Sequence, residues 1–370
     1  MKFLVITENY PRNNGEYAQA YIRPRNLFYK ENGIDVDILS FSAKEDYEID
    51  NMNVYSYASF KMNCSDLSQY DLLISHAPNI KHHFLFIKRY GDKFKKIAFF
   101  FHGHEVLKSN KVYPKQYPFV KRNYMMEIVE NIYDDIKFLL WKECFKKIYN
   151  KSYFIFVSNW MFEQFKHWIK LPEIYLKGRT SITYNSVGKI FEENSYDLNS
   201  AKKYDFVTIR GNLDWSKYAV DIVNELAKRN PCMKFLIVGK GKFFEHYEKA
   251  DNVDWSNKHL SHEEMLEILN SAKCALMPTR TDAQGVMMCE MATFGIPVIT
   301  SNIPVCREVF DGFENVQFIN NENKDVNLSE MISLFGVLTQ KPQKYLYTST
   351  CGEELAILKN FIESNEPVEC

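Results

Sequence analysis

Apolar runs of strand length recur along the chain, each closed by a polar residue or a glycine, with longer segments of helical spacing between them. Phe3 to Thr7, Ile34 to Phe41, Asp71 to His76, Lys96 to Phe101 and Tyr153 to Ser158 come first, and the shorter Thr180 to Val187 follows. Runs that are continuously apolar belong to strands covered on both faces, as in parallel sheets whose crossovers are helices. The intervening segments fit that role. Glu16 to Asn32 predicts a helix with Pro24 as a kink or a late start, because proline lacks the N–H that an interior turn needs, and Gly33 ends it. Ser158 or Asn159 can cap a helix that starts at Trp160. A polar stretch, 191–203, interrupts the pattern, which then restarts. Asp205 to Arg210, Lys234 to Val238, Val253 to Trp255, Cys274 to Pro278 and Ile296 to Thr300 predict strands. Helices are expected from about Tyr218 to Arg229, near Phe243 to Ala250, and from a Ser261-His262-Glu263-Glu264 capping box to Ala272. Cys351 to Ser364 predicts a last amphipathic helix. The expected organisation is an α/β domain over 1–190, a linker over 191–203, a second α/β domain over 204–345, and a C-terminal helix over 346–370 that packs back on the first domain.

Composition narrows the class. The chain has 370 residues, which suits two cores better than one. With 46% hydrophobic and 25% charged residues it has the make-up of a soluble globular protein, and a net charge of -1 disfavours a general nucleic-acid binder. Apolar runs fall short of the roughly 18–20 residues of a membrane span. Met1-Lys2 leads straight into a strand rather than a signal-peptide core, and the eight cysteines show no close-spaced pattern of disulfides or zinc ligands. Reduced cysteines and a cytoplasmic setting are the expectation.

The densest candidate chemistry lies at Thr281-Asp282-Ala283-Gln284-Gly285-Val286-Met287-Met288-Cys289-Glu290, between two predicted strands. Asp282 falls in a loop at a strand's carboxyl end, where open parallel sheets bind ligands. The helix start after Gly285 offers free N–H groups to an anion. Glu290 falls inside that helix among Met287, Met288, Cys289 and Met291, where a carboxylate needs a donor. Such a set suits a polyhydroxylated, phosphate-bearing molecule. Arg210 and Lys217, around a glycine turn, can neutralise a diphosphate, although Lys217 alone also reads as an exposed helix-start lysine. His102-Gly103-His104-Glu105 follows the fourth strand; these are either turn and core residues or strand-end chemistry. Residues 111–150 predict a long helical region rich in lysine and aromatics. It is either a solvated face or a cationic, aromatic face for an anionic membrane surface or lipid-linked acceptor. The first turn lacks the Gly-x-Gly-x-x-Gly fingerprint, which disfavours nicotinamide and flavin chemistry. Asp35-Val36-Asp37 is explained by strand alternation rather than a metal.

Taken together these residues resemble the retaining glycosyltransferases of family four, the glycosyl transferases group 1 type of bacterial surface-polysaccharide synthesis. The resemblance covers nearly the whole chain and is strongest from Asp205 to Pro304. Asp282 to Glu290 resembles the family's Glu-x7-Glu pair with Asp in first place. Met277-Pro278-Thr279-Arg280 and Ala292 to Ile299 resemble its flanking segments. Gly211-Asn212-Leu213-x-x-x-Lys217 resembles Gly-Arg-Leu-x-x-x-Lys, with Asn212 in the arginine position and Arg210 two residues away. Val238-Gly239-Lys240-Gly241, His102-Gly103-His104-Glu105, Val157-Ser158-Asn159-Trp160 and Tyr184-Asn185-Ser186-Val187 also have counterparts.

The resemblance implies the GT-B fold, two Rossmann-like doubly wound domains facing a central cleft. It also implies retaining transfer of a hexose-type sugar from a nucleotide-diphosphate sugar, a UDP-sugar by preference, to a saccharide or lipid-linked saccharide acceptor. By it, Asp282 contacts the donor hexose, His102 faces that sugar beside the acceptor, and Lys217 and Arg210 hold the diphosphate. Gln284, Gly285 and Val286 line the sugar and phosphate, Glu290 takes the ribose, Gly239 and Trp255 lie at the nucleotide, and Gly15 approaches the phosphates. No metal or other cofactor is required. A cytoplasmic enzyme, peripheral at the inner face of the membrane, is implied, with a nucleotide-sugar-binding pseudoenzyme or scaffold as the alternative.

Overall fold

The computed structural model describes residues 1–12, 19, 21–63, 66–121, 123–323, 325–336, 338 and 340–364. Two units divide the chain: Met1–Ser109 with Val129–Ser186 and Tyr347–Cys370, and Asn110–Ile128 with Val187–Leu346. Gly15 lies outside the described residues.

The first unit is built on β1 (Lys2–Thr7), β2 (Asp35–Ser40), β3 (Tyr47–Ile49), β4 (Met52–Ser56), β5 (Leu72–His76), β6 (Ile97–Phe101), β7 (Ser152–Phe156) and β8 (Thr180–Ile182). Their order is β3-β4-β2-β1-β5-β6-β7-β8, and every pairing but β3 with β4 is parallel. The direction of winding reverses between β1 and β5, so this unit's ligand crevice is expected at their carboxyl ends. Phe3, Val5, Val36, Ile38, Leu72, Ile74 and Phe100 form one layer of core with Tyr29 and, from the last helix Tyr347–Glu363, Leu355, Leu358 and Phe361. The helix Ile22–Glu31 starts late, with Pro24 in its first turn, where a missing N–H leaves no bond unmade.

Residues 111–150 do not form one helix. Ser109–Val112 is a short turn of helix, and the long one is Tyr124–Ile148. Its Trp141, Phe138 and Phe145 are buried, and Lys137 is buried against Asp134 at 2.7 Å. Among the described residues the helix shows Val129, Ile132, Ile136 and Leu139 to solvent, together with Tyr133, Lys147 and the acids Glu127, Asp135 and Glu143. Among the described residues the exposed face is thus mixed rather than cationic and aromatic, since most of its aromatics are taken by the core. Before the helix, Tyr117 donates to Asp221 at 2.6 Å and Phe119 stacks on His246, which places this stretch in the second unit.

The second unit has β9 (Tyr204–Asn212), β10 (Phe235–Lys240), β11 (Val253–Ser256), β12 (Ala272–Met277), β13 (Val298–Ser301) and β14 (Val316–Ile319). They are all parallel in the order β11-β10-β9-β12-β13-β14. The reversal here falls between β9 and β12. Residues 191–203 pack onto this unit: Phe191 is fully buried, and the Tyr196 hydroxyl donates to the Ala272 carbonyl at 2.7 Å. Ser261 and Glu264 form the reciprocal capping box of the helix His262–Asn270. Among the described residues no helix is long and apolar enough to cross a membrane.

Candidate functional site

The reversal between β9 and β12 is bridged by Arg210. This residue ends the buried part of β9, and its Nη2 donates to the Pro278 carbonyl just past β12 at 2.7 Å. Its guanidinium is buried, stacked over the Tyr218 ring at 5.0 Å, with Nε unpartnered among the described residues. Burial pulls its pKa down, with the opposing pull of Tyr218 and Asp282. A buried guanidinium with an open N–H is a receptor for an anion. Asn212 does not share that role. Its Oδ1 accepts from the Asp214 N–H at 2.8 Å, so it shapes the turn.

Lys217 stands in the short helix Ser216–Tyr218, half-buried, its amine over the rings of Trp215 and Tyr218 at 5.2 and 4.7 Å. Its carbonyl, not its side chain, ties the loops together. That oxygen accepts from the Arg280 N–H at 2.8 Å and the Thr279 hydroxyl at 2.9 Å. Gly239 lets β10 turn against β9: with φ +157 it lies where a Cβ would meet the Arg210 carbonyl oxygen at 2.3 Å. Trp255 packs over the same turn, Nε1 donating to the Gly239 carbonyl at 3.2 Å.

After β12 the loop is closed by Asp282. Its Oδ1 accepts from the N–H groups of Ala283 at 2.8 Å and Gly285 at 3.0 Å. Gly285 is left-handed at φ +77, a conformation that glycine adopts without strain, and it starts the helix Val286–Phe294. Asp282 is thus first a loop cap, with Oδ2 left for a ligand. The Gln284 side chain turns inward, buried against Cys289, so at this residue only the backbone is offered. Val286 opens the helix half-buried. Apolar neighbours along the helix, Met288, Cys289 and Met291 among them, enclose Glu290, whose Oε1 accepts from the Gly188 N–H at 3.3 Å. Burial pushes its carboxyl up to about 7, against the pull of that single N–H.

In the first unit the chemistry gathers at the ends of β5 and β6. His76 closes β5 and is fully buried; His102 follows β6 and is half-buried. His76 Nδ1 and His102 Nε2 lie 3.0 Å apart, and Tyr21 stacks on His102 at 4.2 Å. The Glu105 carboxylate accepts from the His102 backbone N–H, closing the loop after β6, while His104 is exposed. Nearby, Arg25 is fully enclosed. It donates to Glu354 at 2.8 Å, to Asn185 Oδ1 at 2.8 Å and to the Tyr21 carbonyl at 2.9 Å.

Among the expected residues, Arg210, Lys217, Gly239, Trp255, Asp282, Gln284, Gly285, Val286 and Glu290 all lie in the second unit, and His102 lies in the first. Sequence reasoning passed over His76 and Arg25. The strand-terminal position of His76 before Pro78 was a signal for the first, whereas Arg25 sits in a helix whose pattern hid it. No group of metal-binding side chains is formed among the described residues.

Residues 190–341 match the family model described as Glycosyl transferases group 1. A curated relative, the O-antigen biosynthesis glycosyltransferase WclY of Escherichia coli, is 28% identical over 102 residues, 25% of this chain and 27% of that protein, so the match spans about a quarter of the relative's length. Solved structures match over nearly the whole chain. Sucrose-phosphate synthase from Thermosynechococcus elongatus has a TM-score of 0.72 at 12% identity, covering 98% of this chain and 100% of that one. Anabaena HepE, in complex with UDP and glucose, has 0.61 at 11%, covering 97% and 100%. WaaG, a glycosyltransferase involved in lipopolysaccharide biosynthesis, has 0.57 at 12%, covering 99% and 100%. The two doubly wound units are those of the GT-B fold, and residues 190–341, within the second unit, are similar to the glycosyl transferases group 1 family.

Proposed function

We propose that this protein is a retaining glycosyltransferase that moves a hexose from a nucleotide-diphosphate sugar to a saccharide or lipid-linked saccharide in surface glycoconjugate synthesis. The observation that carries the reading is the pairing, in one unit, of two cations, one of them a buried guanidinium with an open Nε, and a buried acid. Arg210 and Lys217 stand at the β9–β12 reversal, and Glu290 stands one helix away. The diphosphate goes to the cations, and the ribose hydroxyls go to Glu290. Asp282 Oδ2 and the backbone of Gln284 to Val286 receive the sugar. As the anomeric bond breaks, charge develops on the leaving diphosphate, and fixed cations stabilise it there without reorganising. The names of related structures, UDP and glucose with HepE and UDP-2-fluoro glucose with a trehalose-6-phosphate enzyme of E. coli, support a uridine diphosphate donor. His102 is assigned to the reacting sugar. No metal enters the scheme.

The test is a donor-hydrolysis and transfer assay over a panel of UDP-, GDP- and ADP-sugars. Turnover of one donor is expected; nucleotide binding with no turnover of any donor would replace the enzyme with a binding protein of the same fold.

A pH dependence follows from Glu290. Two ribose hydroxyls donate to a carboxylate, so the nucleotide prefers the ionised form. Because the free carboxyl titrates at about 7, affinity is expected to rise with pH and then level off above it. Between pH 6 and 8 the gain is roughly tenfold, the linkage of one proton. Calorimetric titration with UDP checks it. Glu290→Gln should flatten the profile, and a profile that falls with pH would remove Glu290 from the ribose.

A further inference from the structure

The two imidazoles at the ends of β5 and β6 are placed more tightly than a turn requires. His76 is fully buried beneath Phe100, ring centroids 4.5 Å apart, and faces His102 across 3.0 Å, Nδ1 to Nε2. The groups facing the pair come from every element packed on it: Arg25 and Tyr21 from the helix Ile22–Glu31 and the residue before it, His83 from the helix after β5, Glu105 and His104 from the loop after β6, and Asn185 after β8. Burial, with the positive charge of Arg25 added, holds both imidazoles well below their ordinary pKa, so both are neutral. Between neutral imidazoles one nitrogen must donate and the other accept, and only two arrangements exist. The nitrogens at the far ends, His76 Nε2 and His102 Nδ1, are enclosed and have no hydrogen-bond partner among the described residues. Asn185 lies beside His102, and its carbonyl end, already accepting from Arg25, favours an N–H on that ring.

We propose that His76 is a positioning residue for His102. It donates from Nδ1 to Nε2 of His102 and leaves His102 with its proton on Nδ1, on the side of Asn185, so that the ring is held in one orientation. This rests on the assignment of His102 to the reacting sugar, but the proton arrangement is a property of the chain by itself. His102 then acts as a ring of fixed orientation; a neutral ring of this kind carries no positive charge to the transition state. Glu354 and Arg25 lie behind it, since Arg25 holds both the Asn185 oxygen and the Tyr21 carbonyl.

The experiment uses the full chain labelled with 15N-histidine, in long-range 1H–15N correlation spectra, with the His102 signals identified by their loss in His102→Gln. In the wild type, His102 is expected to show a protonated Nδ1 and an unprotonated Nε2. His76→Phe should release the ring to the opposite or a mixed tautomer. His76→Asn, whose side-chain N–H can stand in for Nδ1–H, should retain the wild-type pattern. In kinetics, His76→Phe is expected to lower kcat/KM for transfer about 30-fold with the Kd for UDP unchanged, and His76→Asn to recover most of that loss. A wild-type His102 protonated on Nε2 overturns the proposal, and so does His76→Phe with an unchanged tautomer and rate. If His76→Phe fails to fold, judged by its thermal midpoint, the wild-type and His76→Asn spectra decide. If no donor is turned over by the wild type, the glycosyltransferase reading fails while the spectra still test the positioning.

Discussion

Lys217→Ala and Glu290→Ala are each expected to lower kcat/KM for transfer by about 10²-fold or more while leaving the fold intact. For Lys217 the separation of roles is unusually clean. The backbone carbonyl holds Thr279 and Arg280, whereas the amine rests over Trp215 and Tyr218 with no carboxylate neighbour among the described residues. Truncating the side chain therefore spares the loop and removes a cation from the leaving group. Loss of one such preorganised donor costs about 10²–10³ in kcat, and a fixed full charge stands at the upper end of that range. Glu290 is a different case. Its carboxyl is buried with one N–H partner, so the folded apo protein gains little from it and loses little with it. Its contribution appears when two hydroxyls arrive. The expected signature is a loss of donor affinity of about 10²-fold for Glu290→Ala, against a loss mainly in kcat for Lys217→Ala, with thermal midpoints near wild type in both. Wild-type rates in both variants would refute the site.

Most of the strands and their carboxyl ends were legible in the sequence because parallel strands, buried on both faces, announce themselves as unbroken apolar runs, and their carboxyl ends are where polar residues become noticeable. The hairpin of β3 and β4 was not legible. Its turn is Asp50-Asn51, both left-handed at φ 55, and it lacks the glycine that usually marks a two-residue turn. β14, at Val316–Ile319, is four residues long, interrupted by Gln317 and at a sheet edge, so it makes no long apolar run. The helix Tyr124–Ile148 was over-read because lysine and aromatic residues were counted together. Helical spacing puts Phe138, Trp141 and Phe145 inward and leaves a mixed face outside, mostly aliphatic and acidic with Tyr133 and Lys147. Within the site, Asp282 was legible as an acid but not as a loop cap, and Arg210 was legible as a cation but not as the bridge across the strand reversal. Those roles depend on which backbone groups a tertiary turn leaves unpaired, and sequence spacing does not carry that information.

The same limit explains the largest stability effect expected here, Glu354→Ala. In sequence Glu354 is the second of two acids near the start of a helix, and it reads as a solvated one. In the fold it is 1% exposed and accepts from Arg25 at 2.8 Å, from the Thr183 hydroxyl at 3.1 Å and from Tyr29. Arg25 is equally enclosed, and its guanidinium stays protonated beside the carboxylate. Removing Glu354 alone strands a positive charge in a dry core, and breaking a buried pair in this way costs about 3–5 kcal/mol. Removing both charges is gentler, because no unpaired ion remains. Arg25→Met combined with Glu354→Leu should therefore be more stable than Glu354→Ala, a non-additivity expected only of partners in direct contact. Urea unfolding followed by intrinsic tryptophan fluorescence, to which the buried Trp141 of the same unit contributes, reads the difference. A Glu354→Ala variant within about 1 kcal/mol of wild type would mean that water reaches Arg25 and that the pair is not enclosed. The double variant also separates stability from function. It restores the core but not the hydrogen bonds from Arg25 to Asn185 and Tyr21, so a stable protein with impaired transfer would place this ion pair in support of His102.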